Sequence, residues 1–314
     1  MTSAITTAGL TRRYGAVTAL EDLTLDVPAG SIFGFLGPNG AGKTTTLKIL
    51  AGLARASSGA ASVNGVAVGL QGAHRSQLGY LAQDPRFYGW MTGRQTIEYV
   101  MRFFPGDRDR HRVDELLDLV DLSGAADRLT SAYSGGMRQR LGIAQALAGD
   151  PAVVLLDEPA AALDPLGRHD VLALLQRLRG EKTVFYSTHI LDDVQRVSDH
   201  VAILDRGRLV VSAPTGELME RGASGSVRVA LLGEAEDAAP ALAALPGVET
   251  VTPAGREGDE WRFDLRLAEV APEAVQRSVM RFAIEHDLIV TTNHQKGADL
   301  ESVFLKIVNE ERAA

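Results

Sequence analysis

The sequence contains no cysteine. That excludes a disulfide scaffold, thiolate metal sites and a cysteine nucleophile, and it is compatible with a reducing cytoplasm. Positive charge is also short: 32 basic against 40 acidic residues leave a formal net charge of -8. A generally basic nucleic-acid binder is excluded, and no nucleic-acid partner is expected. No apolar run is long enough to span a membrane, which takes about 20 predominantly apolar residues. The most apolar stretch, 141–156, is broken by Gly149, Asp150 and Pro151. The N-terminal MTSAITTAGL lacks a basic region followed by an apolar core, so no secretory signal is expected. A soluble, cytoplasmic chain is expected, with any membrane role supplied by another polypeptide. There is no internal repeat and no low-complexity tract.

What is present is 314 residues, enough for two domains on the usual scale of about 150 residues each. Residues 1–220 alternate short β-branched runs with helical patterns, which predicts an α/β unit with a largely parallel sheet. Apolar runs at 31–36, 152–156 and 183–187 read as strands, the second as one buried on both faces. Helical spacing follows at 43–53 and 164–180, and 92–148 reads as a helical insertion. A composition shift at 219–226 (MERGASGS) marks a linker. Beyond it the expected order is strand 226–232, helix 236–245, strand 247–252, strand 261–267, helix 271–286 and strand 288–294. That is a small α+β, ferredoxin-like arrangement, followed by a last helix at 298–312. The expected domains are therefore 1–222 and 223–314.

The chemistry is concentrated in two motifs. Gly37, Pro38, Asn39, Gly40, Ala41, Gly42, Lys43 and Thr44 fit GxxxxGK[ST] between an apolar strand and a helix that continues with Thr45. The glycines let backbone N–H groups surround a phosphate, and the helix presents its positive end to the same anion. Lys43 would reach the β- and γ-phosphates, and the Thr44 hydroxyl would ligate Mg²⁺. A Gly-rich turn with a chance lysine is the plain alternative, and the strand–loop–helix context weighs against it. The second motif is VVLLDE, an apolar strand ending in Asp157 and Glu158. Asp157 can hold Mg²⁺ through water, and Glu158 can polarise the attacking water. The alternative is an exposed acidic turn at a strand end.

The ordered series Tyr14, GPNGAGKT, Gln83, YSGGMRQR, VVLLDEP, ALDP and STH resembles the nucleotide-binding subunit of an ATP-binding cassette transporter. The resemblance implies a P-loop ATPase cassette with ATP and Mg²⁺ as cofactors. It assigns Tyr14 to adenine stacking, and Gln83 to sensing Mg²⁺ and the water and to linking to the membrane subunit. Ser134, Gly135 and Gly136 would contact the γ-phosphate of ATP held by the opposite subunit. Asp164 would lie at the loop across the dimer interface, and His189 would be the switch histidine on the γ-phosphate. Two cassettes, identical or paralogous, would pair head to tail.

Three departures from the family pattern stand out: Met137 for the frequent Gln, Tyr133 for the commoner Leu, and Ala160-Ala161-Ala162 before Leu163-Asp164. The signature style and the tail ADLESVFLKIV are similar to exporter-type cassettes with separate permeases for drug, antibiotic or lipid-linked substrates. An importer's ATPase is the nearest alternative. A ribosome-acting cassette protein would have two cassettes joined by a basic linker, and a DNA-repair ATPase would need a long coiled-coil insertion. The segment 87–91 (FYGWM) is conspicuous in a chain with 5% aromatics. It reads either as a docking groove for a permease helix or as simple packing.

Overall fold

The chain opens with a hairpin in the computed structural model, which describes residues 2–69, 72–104, 110–161, 163–223, 225–268 and 270–295. Strands β1 (Ser3–Tyr14) and β2 (Val17–Pro28) pair antiparallel, from Ser3 opposite Pro28 to Tyr14 opposite Val17. Along β2, Leu23, Leu25 and Val27 are buried while Thr24 and Asp26 face outward. Such alternation marks a sheet with one wet face. After β3 (Ile32–Leu36) and α1 (Lys43–Leu50), strands β4 (Ser58–Val63) and β5 (Val66–Ala67) complete a four-stranded sheet of order β2-β1-β4-β5. The apolar-run reading had expected one largely parallel sheet. This second, antiparallel sheet carries its signal in period-two alternation instead.

The larger sheet joins β3 to β6 (Leu78–Leu81), β7 (Val153–Asp157), β8 (Thr183–Thr188), β9 (His200–Asp205) and β10 (Arg208–Pro214), in the order β10-β9-β3-β8-β7-β6. All neighbours run parallel except the β9–β10 hairpin. Every residue of β3, β7 and β8 is buried. Their aromatic rings interlock: Phe185 stacks on Phe33 at 5.5 Å and tilts against Phe35 at 5.1 Å. Between β6 and β7 lie the helices α2 (Gly93–Met101), α3 (Arg110–Leu119) and α4 (Gly135–Leu147). A reciprocal Thr92–Gln95 capping box starts α2. Helix α1 stops at Leu50, short of the expected residue 53, where Gly52 turns left-handed at φ 69. The helices α5 (Pro165–Arg177) and α6 (Leu191–Val197) flank β8 in sequence.

A second compact unit begins at Gly216. The expected linker at 219–226 is mostly helix: α7 (Thr215–Ala223) runs through it to the last turn before β11 (Ser226–Leu232). Then come α8 (Ala238–Ala243), β12 (Val248–Glu257), β13 (Glu260–Leu267), α9 (Pro272–Glu285) and β14 (Ile289–Gln295). The sheet order is β12-β13-β11-β14, antiparallel throughout. Val227, Val229, Leu231, Phe263 and Leu265 form one core with Val275, Val279 and Phe282 of α9. In the same ladder Arg228 grips Asp264 with two hydrogen bonds, at 2.8 and 3.0 Å. The helix expected at 298–312 lies outside the described residues. Among the described residues, no helix is long and apolar enough to cross a membrane.

Candidate nucleotide site

Because β3, β8 and β7 are parallel neighbours, their carboxyl ends share one edge of the sheet, where open α/β sheets bind ligands. Leu36 lies opposite Thr188, and Asp157 opposite Ser187. From Leu36 the chain turns through 37–42 into α1. A side chain at Gly37 would come within 2.3 Å of the Leu204 carbonyl, and one at Gly42 within 2.5 Å of the Ala19 carbonyl. Gly42 is also left-handed, at φ 107, and caps α1 without a side-chain bond. The first turn of α1 thus offers its backbone N–H groups and positive dipole end to an anion.

Lys43 points back into this loop. Its Nζ donates to the carbonyls of Gly37 at 2.7 Å and Pro38 at 3.2 Å, and pairs with Glu158 Oε1 at 3.2 Å. The other carboxylate oxygen of Glu158 meets His189 Nδ1 at 2.9 Å. Glu158 holds the left-handed φ of 50, unusual for a residue with a side chain. Beside it, Asp157 is 1% exposed. Its Oδ1 accepts from Thr44 Oγ1 at 3.1 Å and from Ser187 Oγ at 2.7 Å. Ser187 in turn accepts from the Glu158 N–H at 2.9 Å. Burial, reinforced by the Asp157 charge, pushes the Tyr80 phenol up to about 12.

A cleft of about 500 Å³ opens over the loop, lined by Tyr14, Asn39, Gly40, Lys43, Thr45, Gln83 and Glu158, with Ala19, Gly42 and Thr44. Tyr14 is half exposed at its edge, and the Arg12 guanidinium lies 4.2 Å from its ring centroid. Gly37, Pro38 and Ala41 belong to the loop without lining the cleft, and Asp157 sits behind Thr44. Ser134, Gly135, Gly136 and Asp164 lie outside it. Ser134 caps α4, accepting from the Met137 N–H at 3.2 Å, and Asp164 caps α5, accepting from the Gly167 N–H at 2.9 Å. Tyr133 is buried, and its hydroxyl donates to the Ala125 carbonyl at 2.8 Å. Gly93 makes room for it, since a Cβ there would stand 2.1 Å from that hydroxyl. The tyrosine at that position is a packing residue of the helical insertion. Ala162 lies outside the described residues.

Sequence reasoning passed over Ser187 as a residue in its own right. Its signal was its place in STH, two residues before the histidine and near the end of an apolar strand. The donors gathered here are hard oxygens: the Thr44 hydroxyl, the Asp157 carboxylate and the Gln83 amide. Among the described residues, no group of three or more His, Asp or Glu side chains is placed to hold a metal ion by itself. Such a sparse set suits Mg²⁺, which keeps several waters and takes its other ligands from phosphates.

A glycine cradle with an inward lysine at the head of a helix is how P-loop nucleotide-hydrolysing proteins hold a triphosphate. Comparison with known proteins narrows that class. The ABC transporter family matches residues 20–161. An uncharacterized ABC transporter ATP-binding protein, YxlF of Bacillus subtilis, is 35% identical over 96% of this chain and 98% of its own length. The daunorubicin/doxorubicin resistance ATP-binding protein DrrA of Streptomyces peucetius is 34% identical over 98% of this chain and 92% of its own. A sulfate/thiosulfate import ATP-binding protein, CysA of Burkholderia mallei, is 39% identical, over 65% of this chain and 61% of its own. Among solved structures, a dimeric post-hydrolysis state of the ATP-binding cassette MJ0796 with ADP and Pi superposes at a TM-score of 0.61. It is 26% identical and covers 67% of this chain and 98% of that one. The chain belongs to the ATP-binding proteins of ABC transporters: it is the subunit that binds ATP and hydrolyses it to power transport.

Proposed function

We propose that this cassette powers export of a drug-, antibiotic- or lipid-like substrate through a separate membrane permease. One observation carries the direction of transport. The likeness to the resistance protein DrrA runs through 98% of this chain, and so through the C-terminal unit as well, whereas the import-named relative matches 65%. An importer's ATPase is the alternative, favoured by that same relative over the cassette portion. The chain would sit on the inner face of the cell membrane, held there by the permease.

In this reading two cassettes, identical or paralogous, enclose two ATP molecules head to tail. Tyr14 stacks on adenine. The backbone of 37–42, Lys43 and Thr45 grips the phosphates, while Thr44, Asp157 and Gln83 would hold Mg²⁺, whose charge would offset that of the phosphates. Glu158 orients and deprotonates the attacking water, and His189 contacts the γ-phosphate. Ser134, Gly135 and Gly136 are assigned to the partner cassette's ATP, with Asp164 beside them at the interface. Their place outside the cleft of their own chain supports that assignment. ATP favours the closed pair and ADP does not, which is the differential affinity that drives the cycle.

The permease is assigned to an aromatic patch just after Gln83. Within 87–91, Met91 is buried while Tyr88 and Trp90 are exposed, as are Tyr99 and Phe103 further along the chain. Their exposure favours docking of a short cytoplasmic helix over packing within the chain. The accessory domain is taken as residues 223–314 and as ferredoxin-like, supported by its βαββαβ order and its strand order β12-β13-β11-β14. Its role is dimer stabilisation, with ligand sensing as the alternative.

The test uses everted membrane vesicles from cells making this chain with its permease, and daunorubicin as the probe. ATP-dependent accumulation inside the vesicles is expected, and it should vanish with Lys43→Ala. ATP-dependent uptake confined to right-side-out vesicles would overturn the export reading.

A further inference from the structure

Asp164 and His189 stand at the heads of two different helices, and one turn further on those helices are tied together. Arg168, four residues after Asp164, donates from Nε to Asp193 Oδ1 at 2.6 Å. Asp193 comes four residues after His189, in the first turn of α6. Its side chain is 2% exposed, against 29% for Arg168. Burial raises the Asp193 carboxyl pKa, and the Arg168 guanidinium opposes that rise.

Arg168 is bonded to the loop that precedes it, and the bend before Asp193 is held by a bond of its own. The Arg168 N–H donates to the Asp164 carbonyl at 2.9 Å, in the turn that the Asp164 side chain caps. On the other side, the Ile190 N–H donates to Thr188 Oγ1 at 3.0 Å, fixing the bend that carries His189. At their far ends α5 and α6 are joined again, by Gln176 to the Arg196 carbonyl at 3.2 Å. The Arg168–Asp193 pair is thus the tie at the N-terminal ends of α5 and α6. Four residues before Asp193 in the chain, His189 bonds Glu158 at 2.9 Å, and Glu158 pairs with Lys43 at 3.2 Å.

A buried ion pair is weak as a source of stability, because well-packed apolar residues do as well or better, and its best-attested use is to fix registry. We propose that Arg168 and Asp193 are positioning residues that hold the Asp164 loop and His189 in fixed register, so that closure at the cassette interface is felt at the γ-phosphate. The proposal rests on the roles given above to Asp164 and His189.

The test is steady-state Mg-ATP hydrolysis by the full-length chain, with ATP affinity read separately by a fluorescent ATP analogue. Arg168→Ala and Asp193→Asn should each lower kcat at least tenfold, while KM and analogue affinity stay within about twofold, since Tyr14 and the phosphate loop are untouched. The apolar pair Arg168→Met with Asp193→Leu keeps the packing and should show the same loss. On a His189→Ala background, none of these changes should lower kcat further, because coupled residues are not additive. Wild-type kcat in the apolar pair overturns the proposal, as do parallel losses of kcat and affinity, or additive losses on the His189→Ala background. A His189→Ala variant that itself hydrolyses at the wild-type rate sinks the underlying site reading, and the positioning role with it.

Discussion

Glu158 divides its carboxylate between a lysine and a histidine: Lys43 Nζ lies 3.2 Å from Oε1, and His189 Nδ1 lies 2.9 Å from Oε2. The carboxylate is therefore engaged by the same lysine that the phosphate loop turns toward a nucleotide. On the proposed reading, a γ-phosphate arriving in the cleft would compete for Lys43 and His189 and would free Glu158 to take a water proton. Substrate binding and release of the carboxylate would then be one event.

Glu158→Gln separates these two jobs. The amide keeps the volume and a hydrogen bond to His189, and it cannot accept the proton. Hydrolysis should fall by about 10²–10⁴-fold, the usual range for a positioned base. ATP should still bind, and a closed dimer should accumulate, visible by light scattering with ATP and lost with ADP. Phosphate release at the wild-type rate would remove Glu158 as the base.

Ser187→Ala tests the support beneath the two carboxylates. The hydroxyl donates to Asp157 at 2.7 Å and accepts from the Glu158 N–H at 2.9 Å, so both lose a buried partner at once. Losing such bonds costs about 1–3 kcal/mol in a buried setting. The melting midpoint should drop accordingly. More telling, the Mg²⁺ concentration for half-maximal hydrolysis should rise, because Asp157 is no longer held toward Thr44. An unchanged Mg²⁺ titration would make Ser187 a packing residue only.

The two motifs around Lys43 and Asp157 were legible in the sequence because their chemistry is local. A strand, a glycine loop and a helix follow one another without a gap, and an apolar run ends in two acids. The β1–β2 sheet was missed for the opposite reason. Its residues alternate, as Leu23, Thr24 and Leu25 do, and a search for continuous apolar runs passes over them. The contacts of Ser187 and Arg168 were not legible in the sequence because their partners lie 30 and 25 positions away. Only the parallel register of β7 with β8, and the pairing of α5 with α6, bring them together. The stretch 219–223 looked like a linker from its small and charged residues, yet it continues α7.

Gly42→Ala and Gly40→Ala should part ways. Both glycines have left-handed φ, 107 and 83, so any side chain is strained there by roughly 1–3 kcal/mol. At Gly42 the added Cβ also meets the Ala19 carbonyl at 2.5 Å, whereas nothing lies within 4 Å at Gly40. Gly42→Ala should therefore abolish ATP binding and lower the melting midpoint, and Gly40→Ala should keep measurable binding. Equal effects would mean that backbone strain, not the Ala19 contact, shapes the cradle.

Tyr88→Ala with Trp90→Ala tests the aromatic patch apart from the nucleotide site. The Tyr88 ring lies 5.7 Å from Trp90 and 6.4 Å from Tyr99, and Tyr99 lies 5.3 Å from Phe103, so the four form one exposed cluster. Exposed side chains of this kind contribute little to folding, and substitutions there usually fall within about 0.5 kcal/mol. The variant should thus keep its melting midpoint and its ATP affinity. Capture of the permease from solubilised membranes should fall at least tenfold, since buried aromatic anchors dominate docking energy. Full recovery of permease at the wild-type yield would show that the cluster serves the chain's own packing, and the membrane subunit would have to engage another face.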